Sequence, residues 1–362
     1  MKQFPLSERS FRGLFSTCRA YSLGLLLAGL CSAAELNAAA LFWDINGGAN
    51  GHGGAGIWDA TTANWNVTSG RGTPLAWPNV FDSGANFKGV PGTVNVVGTV
   101  NADSLVFHES NYVLSGGRIN YITSTGTPST VDMEAFENTT ATINTTLSGT
   151  GMRKYGGGRI ILNTPLILSG GSQNIYFGTV QFGGNNILGS QGVTVFPGGA
   201  LDLNGYSFTT TSLAMGSRNS YEPSRVIGNG GVLKLGASLN YTNTTGTGPA
   251  TIDAALTLDR TLSATIQDSP FTDAELTITG NISNAASGTG ALDKKGSGTM
   301  VINGSLTYNG ATTVTAGLLR INGSVSNSNV TINSGATLEG NVKVTYTVGK
   351  KITVNGTLDT RQ

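Results

Sequence analysis

The chain has 362 residues, with 21 Lys+Arg against 20 Asp+Glu, only 11% charged residues and 53 Gly. Together with 47 Thr and 32 Asn, glycine fills 132 positions. This excludes a helical protein, because these residues favour turns and strands. Charge near zero without basic clusters leaves no electrostatic footprint for nucleic acid or for an anionic membrane, and the 38% apolar residues fall in short alternating runs that a disordered chain would not need.

Residues 1–40 read as a secretory signal peptide. Lys2, Arg9, Arg12 and Arg19 form a basic leader, Leu23 to Leu30 an apolar stretch, and Ala33, Ala38 and Ala40 offer small-residue cleavage sites, with the cut expected after Ala38 or Ala40. The apolar run is far short of the roughly 20 residues needed to span a bilayer, so no stable membrane insertion is expected. Lipidation at Cys31 is disfavoured by Leu30 where a small residue is normally required. Cleavage removes four bases and two acids, leaving 17 Lys+Arg against 18 Asp+Glu, and it removes Cys18 and Cys31. The exported chain then lacks disulfides, a cysteine nucleophile and thiolate metal sites.

Residues 41–92 hold all four tryptophans, Trp43, Trp58, Trp65 and Trp77. The open end of a strand-rich stack exposes unpaired backbone and apolar core, so an aromatic cap is the preferred reading, with a sugar-stacking platform as the other. From residue 93 to 362 the chain is a series of runs such as Ser104-Leu105-Val106-Phe107, Arg159-Ile160-Ile161-Leu162, Val193-Thr194-Val195 and Leu318-Leu319-Arg320-Ile321, separated by Gly, Asn or Pro. Most alternate apolar with polar, so one side is buried.

Two blocks, about 148–203 and 287–340, align with each other. Ser148-Gly149-Thr150-Gly151 matches Ser287-Gly288-Thr289-Gly290, and each leads through basic residues (Arg153-Lys154; Lys294-Lys295) and glycines into an apolar strand. Gly178-Thr179-Val180 corresponds to Gly317-Leu318-Leu319, and Val193-Thr194-Val195 to Val330-Thr331-Ile332, at offsets of 139, 139 and 137 residues. Short strands in a repeated register are what a solenoid requires. Asn-Gly pairs at 46–47, 204–205, 229–230, 303–304, 309–310, 322–323 and 355–356 keep antiparallel hairpins open as an alternative. Size favours the solenoid, at about 15 coils of roughly 20 residues and roughly 4.8 Å each, a rod of about 70 Å.

Lys295-Gly296-Ser297-Gly298-Thr299-Met300-Val301-Ile302-Asn303-Gly304, then Leu306-Thr307-Tyr308-Asn309-Gly310-Ala311-Thr312-Thr313-Val314, then Ala316-Gly317-Leu318-Leu319-Arg320-Ile321 resembles the autotransporter-associated β-strand repeat, also called the passenger-associated transport repeat. That family reads in outline G-x-G-T-L-x-L-x-G, Y-x-G-x-T-x-V and G-x-L. Block 148–203 resembles it more loosely, with its Tyr-x-Gly portion degraded. Trp43-Asp44, Gly56-Ile57-Trp58-Asp59, Asn64-Trp65 and Ala85-Asn86-Phe87-Lys88-Gly89 resemble the opening segment of bacterial exported proteins that carry the repeat. The resemblance implies an all-β fold, a right-handed parallel β-helix, exported by a bacterium for adhesive, matrix or surface-structural work. Autotransporters also end in a membrane barrel, whereas Lys343 to Gln362 still reads as coil, so export by the general secretory route into periplasm or medium is expected, with the protein secreted or held at the cell surface.

Candidates for chemistry are sparse. Gly51-His52-Gly53 resembles a tripeptide of polygalacturonase-like hydrolases, but their Asn-Thr-Asp and Asp-Asp strings do not occur here, and glycoside cleavage needs converging carboxylates. His108 beside Glu109 reads as a solvated turn residue. Asp132, Glu134 and Glu137 form the tightest acidic cluster; 132 and 134 share a strand face and 137 does not, and a solvated loop is preferred. Asp44-Ile45-Asn46-Gly47 begins like a calcium loop without its later ligands. The expectation is a non-enzymatic structural or adhesive protein with no catalytic residue, cofactor or metal, whose partner is a cell-surface or extracellular glycan or a host or matrix surface. The alternative is a polysaccharide-binding or polysaccharide-cleaving β-helix. The last coil around Ile352, Val354 and Leu358 offers an edge for end-to-end self-association.

Overall fold

The computed structural model describes residues 40–47, 51–67, 72–80, 83–123, 125–243, 246–340, 343–344 and 349–360. These fall in one compact unit, Asn37–Gln362. The signal-peptide reading, Cys18 and Cys31 lie outside the described residues.

Every named element among them is a β-strand, and the strands stack into a parallel β-helix of about 12 turns. Each complete coil contributes to three sheet faces. On the first face, Gly84–Phe87, Ser104–Phe107, Val131–Ala135, Met152–Tyr155, Gln173–Ile175 and Val193–Val195 pair in succession, all parallel. The second runs through Thr140–Ile143, Arg159–Leu162, Gly178–Phe182 and Gly199–Asp202. The third links the latter halves of Thr93–Ala102 and Tyr112–Tyr121 to Thr146–Gly149 and Ile167–Leu168.

Two-residue alternation sends every second side chain inward, and parallel register places like on like. Val180, Leu201, Val226, Ile252, Ile278, Ile302 and Ile321 thus form one continuous buried column. A second column runs Leu105, Met133, Lys154, Ile175, Val195, Met215 and Tyr241, with a lysine in its middle.

Two of the Asn-Gly pairs serve as bends between faces rather than as hairpin turns. Asn204 and Gly205 have φ of 50° and 85°, and Asn229 and Gly230 have 50° and 88°. These left-handed pairs turn corners between faces, and the strands they join pair with the coils above and below. Among the named strands, Ala40–Trp43 with Trp65–Asn66 is the antiparallel exception. Coils also vary in length, from the 18 residues between paired Thr313 and Thr331 to the 44 between paired Ala40 and Gly84. That variation is why fewer turns form than a uniform 20-residue repeat implies. The ladder begins inside the segment assigned to the cap, since Ala40–Trp43 pairs in parallel with Gly84–Phe87, and Gly56–Trp58 with Thr93–Ala102.

Candidate functional site

The four tryptophans are sealed inside. Trp43, Trp58 and Trp65 are 0% exposed and Trp77 1%. Trp65 lies with its ring centre 5.2 Å from Trp43, 4.9 Å from Trp58 and 4.5 Å from Trp77, and Phe87 closes the cluster from the next coil. Trp43 and Trp77 donate through Nε1 to the carbonyls of Gly54 and Asn101. No indole face reaches solvent, so the sugar-platform reading of Trp43, Trp58, Trp65 and Trp77 has no surface to act through in this structure.

His52 is buried and stacked on Phe42 at 5.2 Å. His108 is half-buried rather than solvated. Its Nε2 lies 3.2 Å from Oδ1 of Asn86, its ring stacks on Phe136 at 4.5 Å, and burial followed by the charge of Lys88 holds its pKa below the usual imidazole range. Asp132 and Glu134 lie in the strand Val131–Ala135, correcting the loop reading. Arg153 holds Asp132 in a two-pronged ion pair, at 2.7 and 2.6 Å. Glu134 pairs across to Tyr155, and Glu137 lies exposed in the following turn. These acids do not converge on one point.

Sequence reasoning missed a trough over the corner between the first and second faces. Its floor is stacked turn backbone, Gly157-Gly158, Gly178 and Gly198-Gly199, where the absence of side chains leaves two adjoining hollows of about 470 and 250 Å³ that share Gly157 and Thr179. Thr179 and Gly178 donate from their backbone N–H groups to the carbonyls of Gly158 and Gly198. One wall is an outward ladder of the second face, Thr140, Arg159, Thr179, Ala200 and Arg225 in register. Glu137 and Glu222 line the same hollows. Beside the floor, Phe177 packs against Gly198 and stays 38% exposed, with the Arg218 guanidinium 4.7 Å from its ring centre. Tyr155, Tyr176 and Phe196 stack face to face on three successive coils at 4.9 and 4.5 Å, so they present edges rather than faces. The signal for the trough lay in the run of outward residues on matching coil positions, which only the coil register brings together.

Under this corner lies a fully buried lysine. Lys154 is 0% exposed, and its Nζ donates to the carbonyls of Tyr155, Gly156 and Phe177 at 2.6, 2.8 and 3.2 Å. Lys294, also 0% exposed, repeats the arrangement in the second copy, donating to Gly296 and Ala316 at 2.9 Å each. Each amine therefore fastens its own turn to the turn of the next coil. Burial pulls the pKa of Lys154 down to about 7 and that of Lys294 to about 8.

The Tyr-x-Gly-x-Thr string also gains a physical reading. Tyr308 is wholly buried, with its hydroxyl 2.7 Å from Oγ1 of Thr312, which in turn lies 2.8 Å from Oγ of Ser328. Ser328 donates to the carbonyl of Gly310 at 2.8 Å. At the position of Thr312, two residues before the strand residue that pairs with the buried lysine, the first copy has the buried Gln173. Tyr308→Phe should cost about 1 kcal/mol, the ordinary value of one hydrogen bond, seen as a lower denaturant midpoint with unchanged slope.

Residues 292–321 match the Passenger-associated-transport-repeat family. The chain is also similar to the adhesin BmaC autotransporter of Brucella suis biovar 1 (strain 1330), at 32% identity over 151 residues. That alignment covers 41% of this chain and 4% of the adhesin, so the chain matches only a small part of that relative's length. No solved structure matches. Lys294, the stacked turn glycines Gly296, Gly298 and Gly317, and the Tyr308–Thr312 pair lie within the matched segment, and the β-helix contains a passenger-associated transport repeat at residues 292–321.

Proposed function

We propose that the chain is an exported β-helical surface protein that works by adhesion. The observation that carries this reading is the 32% identity to an autotransporter adhesin over 151 residues, on a fold built of stacked coils. Passenger-like β-helices suit the task physically: each coil is stabilised by its two neighbours, so a long outward surface is held rigid without disulfides. The dispersed carboxylates favour binding over glycoside cleavage, which needs two carboxyl groups facing one bond; Asp132 is committed to Arg153, and Glu137 lies on a turn.

Adhesion is tested by immobilising the purified chain on beads and measuring their retention on cell, matrix-protein and glycan-coated surfaces under flow, against beads carrying heat-unfolded chain. Retention by the folded chain alone is expected. Equal retention of both, or release of new reducing ends from any glycan, counts against the reading. Export is tested separately: the N-terminus of material recovered from the producing bacterium's surface or medium should begin at Ala39 or Leu41. Confinement of an uncut chain to the cytoplasm would refute it.

A further inference from the structure

We propose that the trough over the glycine corner between the first and second faces is a binding site for a neutral, linear oligosaccharide lying along the helix axis. This deepens the adhesive reading and rests on it for its biological setting. Arg159, Thr179, Ala200 and Arg225 stand on four successive rungs, which at about 4.8 Å per rung sets the backbones of the two arginines about 14 Å apart along one wall. Glu137 and Glu222 stand at the two hollows, so each hollow pairs one carboxylate with one guanidinium. None of these four takes part in an ion pair or a side-chain hydrogen bond among the described residues, and all four are exposed.

The chemistry selects the ligand class. Guanidinium donates and carboxylate accepts, so alternating them along a groove matches hydroxyls, which do both. Their charges cancel, which gives a polyanion no steering and makes it face Glu137 and Glu222. Phe177 supplies exposed apolar surface beside the floor. The fold itself does not require the charges. At the matching corner of the second copy, the same ladder positions are Thr299, Leu318 and Thr337, and the coils stack in the same register without an arginine there. The turn backbone is common to both copies, and only the first dresses it with paired charges.

The test is calorimetric titration of the whole chain with cellohexaose, laminarihexaose and chitohexaose, and with an oligogalacturonate as the polyanionic control. At least one neutral hexasaccharide should bind and the oligogalacturonate should not. Ala200→Trp, which fills the trough, and Arg159→Ala with Arg225→Ala should each weaken binding by about tenfold or more. Thr194→Trp, outward on the first face, should leave it unchanged, and circular dichroism should be alike for all variants. Absence of binding by all three neutral sugars, preference for the polyanion, or full affinity in Ala200→Trp would overturn the proposal. Bead retention separates it from the broader reading. If Ala200→Trp keeps full glycan affinity while native beads adhere, the proposal falls and adhesion stands. If glycan binding through the trough is found but beads do not adhere, the adhesive reading falls alone. Adhesion that Ala200→Trp abolishes but that survives periodate oxidation of the target surface identifies a protein occupant and overturns the proposal.

Discussion

Melting temperature should rise as pH increases from about 7 to about 10, and the double variant Lys154→Met/Lys294→Met should lose much of that rise. In the folded chain burial holds Lys154 near 7 and Lys294 near 8, whereas an unfolded lysine titrates at 10.5. Below pH 7 both states carry the proton and these groups give no slope. Between the folded and unfolded values the unfolded state binds the extra proton, so stability climbs with pH. The window closes near pH 10, because burial raises the pKa of Tyr112, Tyr121, Tyr241 and Tyr308 above that of an unfolded tyrosine, and there the unfolded state gains stability by losing protons. Each lysine should contribute on the order of a few kcal/mol across the window, given about 1.4 kcal/mol per unit of pKa difference and some compensation from its carbonyl partners. At pH 9 the native amines are largely neutral, so methionine offers little relief of buried charge. It leaves the carbonyls of Tyr155, Gly156 and Phe177 without the amine, and the double variant should be less stable by about 1–3 kcal/mol for each site. The difference should shrink towards pH 6.5, where the native chain carries buried ammonium groups. Melts followed by circular dichroism from pH 6.5 to 9.5 measure it. Parallel pH profiles for native and variant would show that the two lysines do not carry the dependence.

These lysines also mark where sequence reading stopped. Alternation in Val193-Thr194-Val195 or Leu318-Leu319-Arg320-Ile321 exposes its inward side chains directly, because apolar residues at two-residue spacing have one side to bury. The duplication could be seen for a related reason: spacing between corners is what keeps columns aligned, so it persists where side chains have diverged. Lys154 follows the same parity as Met152, and Lys294 as Leu292, yet a lysine on an inward position reads as a break in the pattern until the turn carbonyls that receive it are in view. The trough was hidden differently. Arg159, Thr179, Ala200 and Arg225 are unremarkable one by one and become neighbours only through pairing across coils that differ in length. The tryptophans failed as a binding platform because large rings gathered near one end of the helix bury one another.

Gly178→Val and Gly317→Val should each destabilise the chain by several kcal/mol, among the largest effects of any single substitution outside the apolar columns. The two glycines are counterparts in the duplication, and their φ values, 64° and 66°, are nearly identical. A β-branched residue at such a φ is strained by about 1–3 kcal/mol before any contact is counted. Contact adds to it: a Cβ at position 178 would run into the carbonyl oxygens of Gly158 and Gly156, and one at 317 into those of Gly296 and Gly298. These obstacles are backbone, and a lysine fastens one of each pair so that it cannot rotate aside. The carbonyl of Gly156 accepts from Lys154, and that of Gly296 from Lys294. Relief would require the next coil to lift off, breaking the bond from Thr179 N–H to Gly158 or from Leu318 N–H to Gly298. Gly335→Ala offers the control, with φ of 80° but no atom within 4 Å of the added methyl group; it should cost about 1 kcal/mol, from backbone strain alone. Since stability in stacked coils is a sum of local and neighbour terms, the lesions should act locally. Hydrogen exchange should speed up around residues 152–182 for Gly178→Val and around 292–321 for Gly317→Val, with the other copy protected as before. Loss of protection across both copies from either substitution would mean that the helix unfolds as one cooperative block rather than coil by coil.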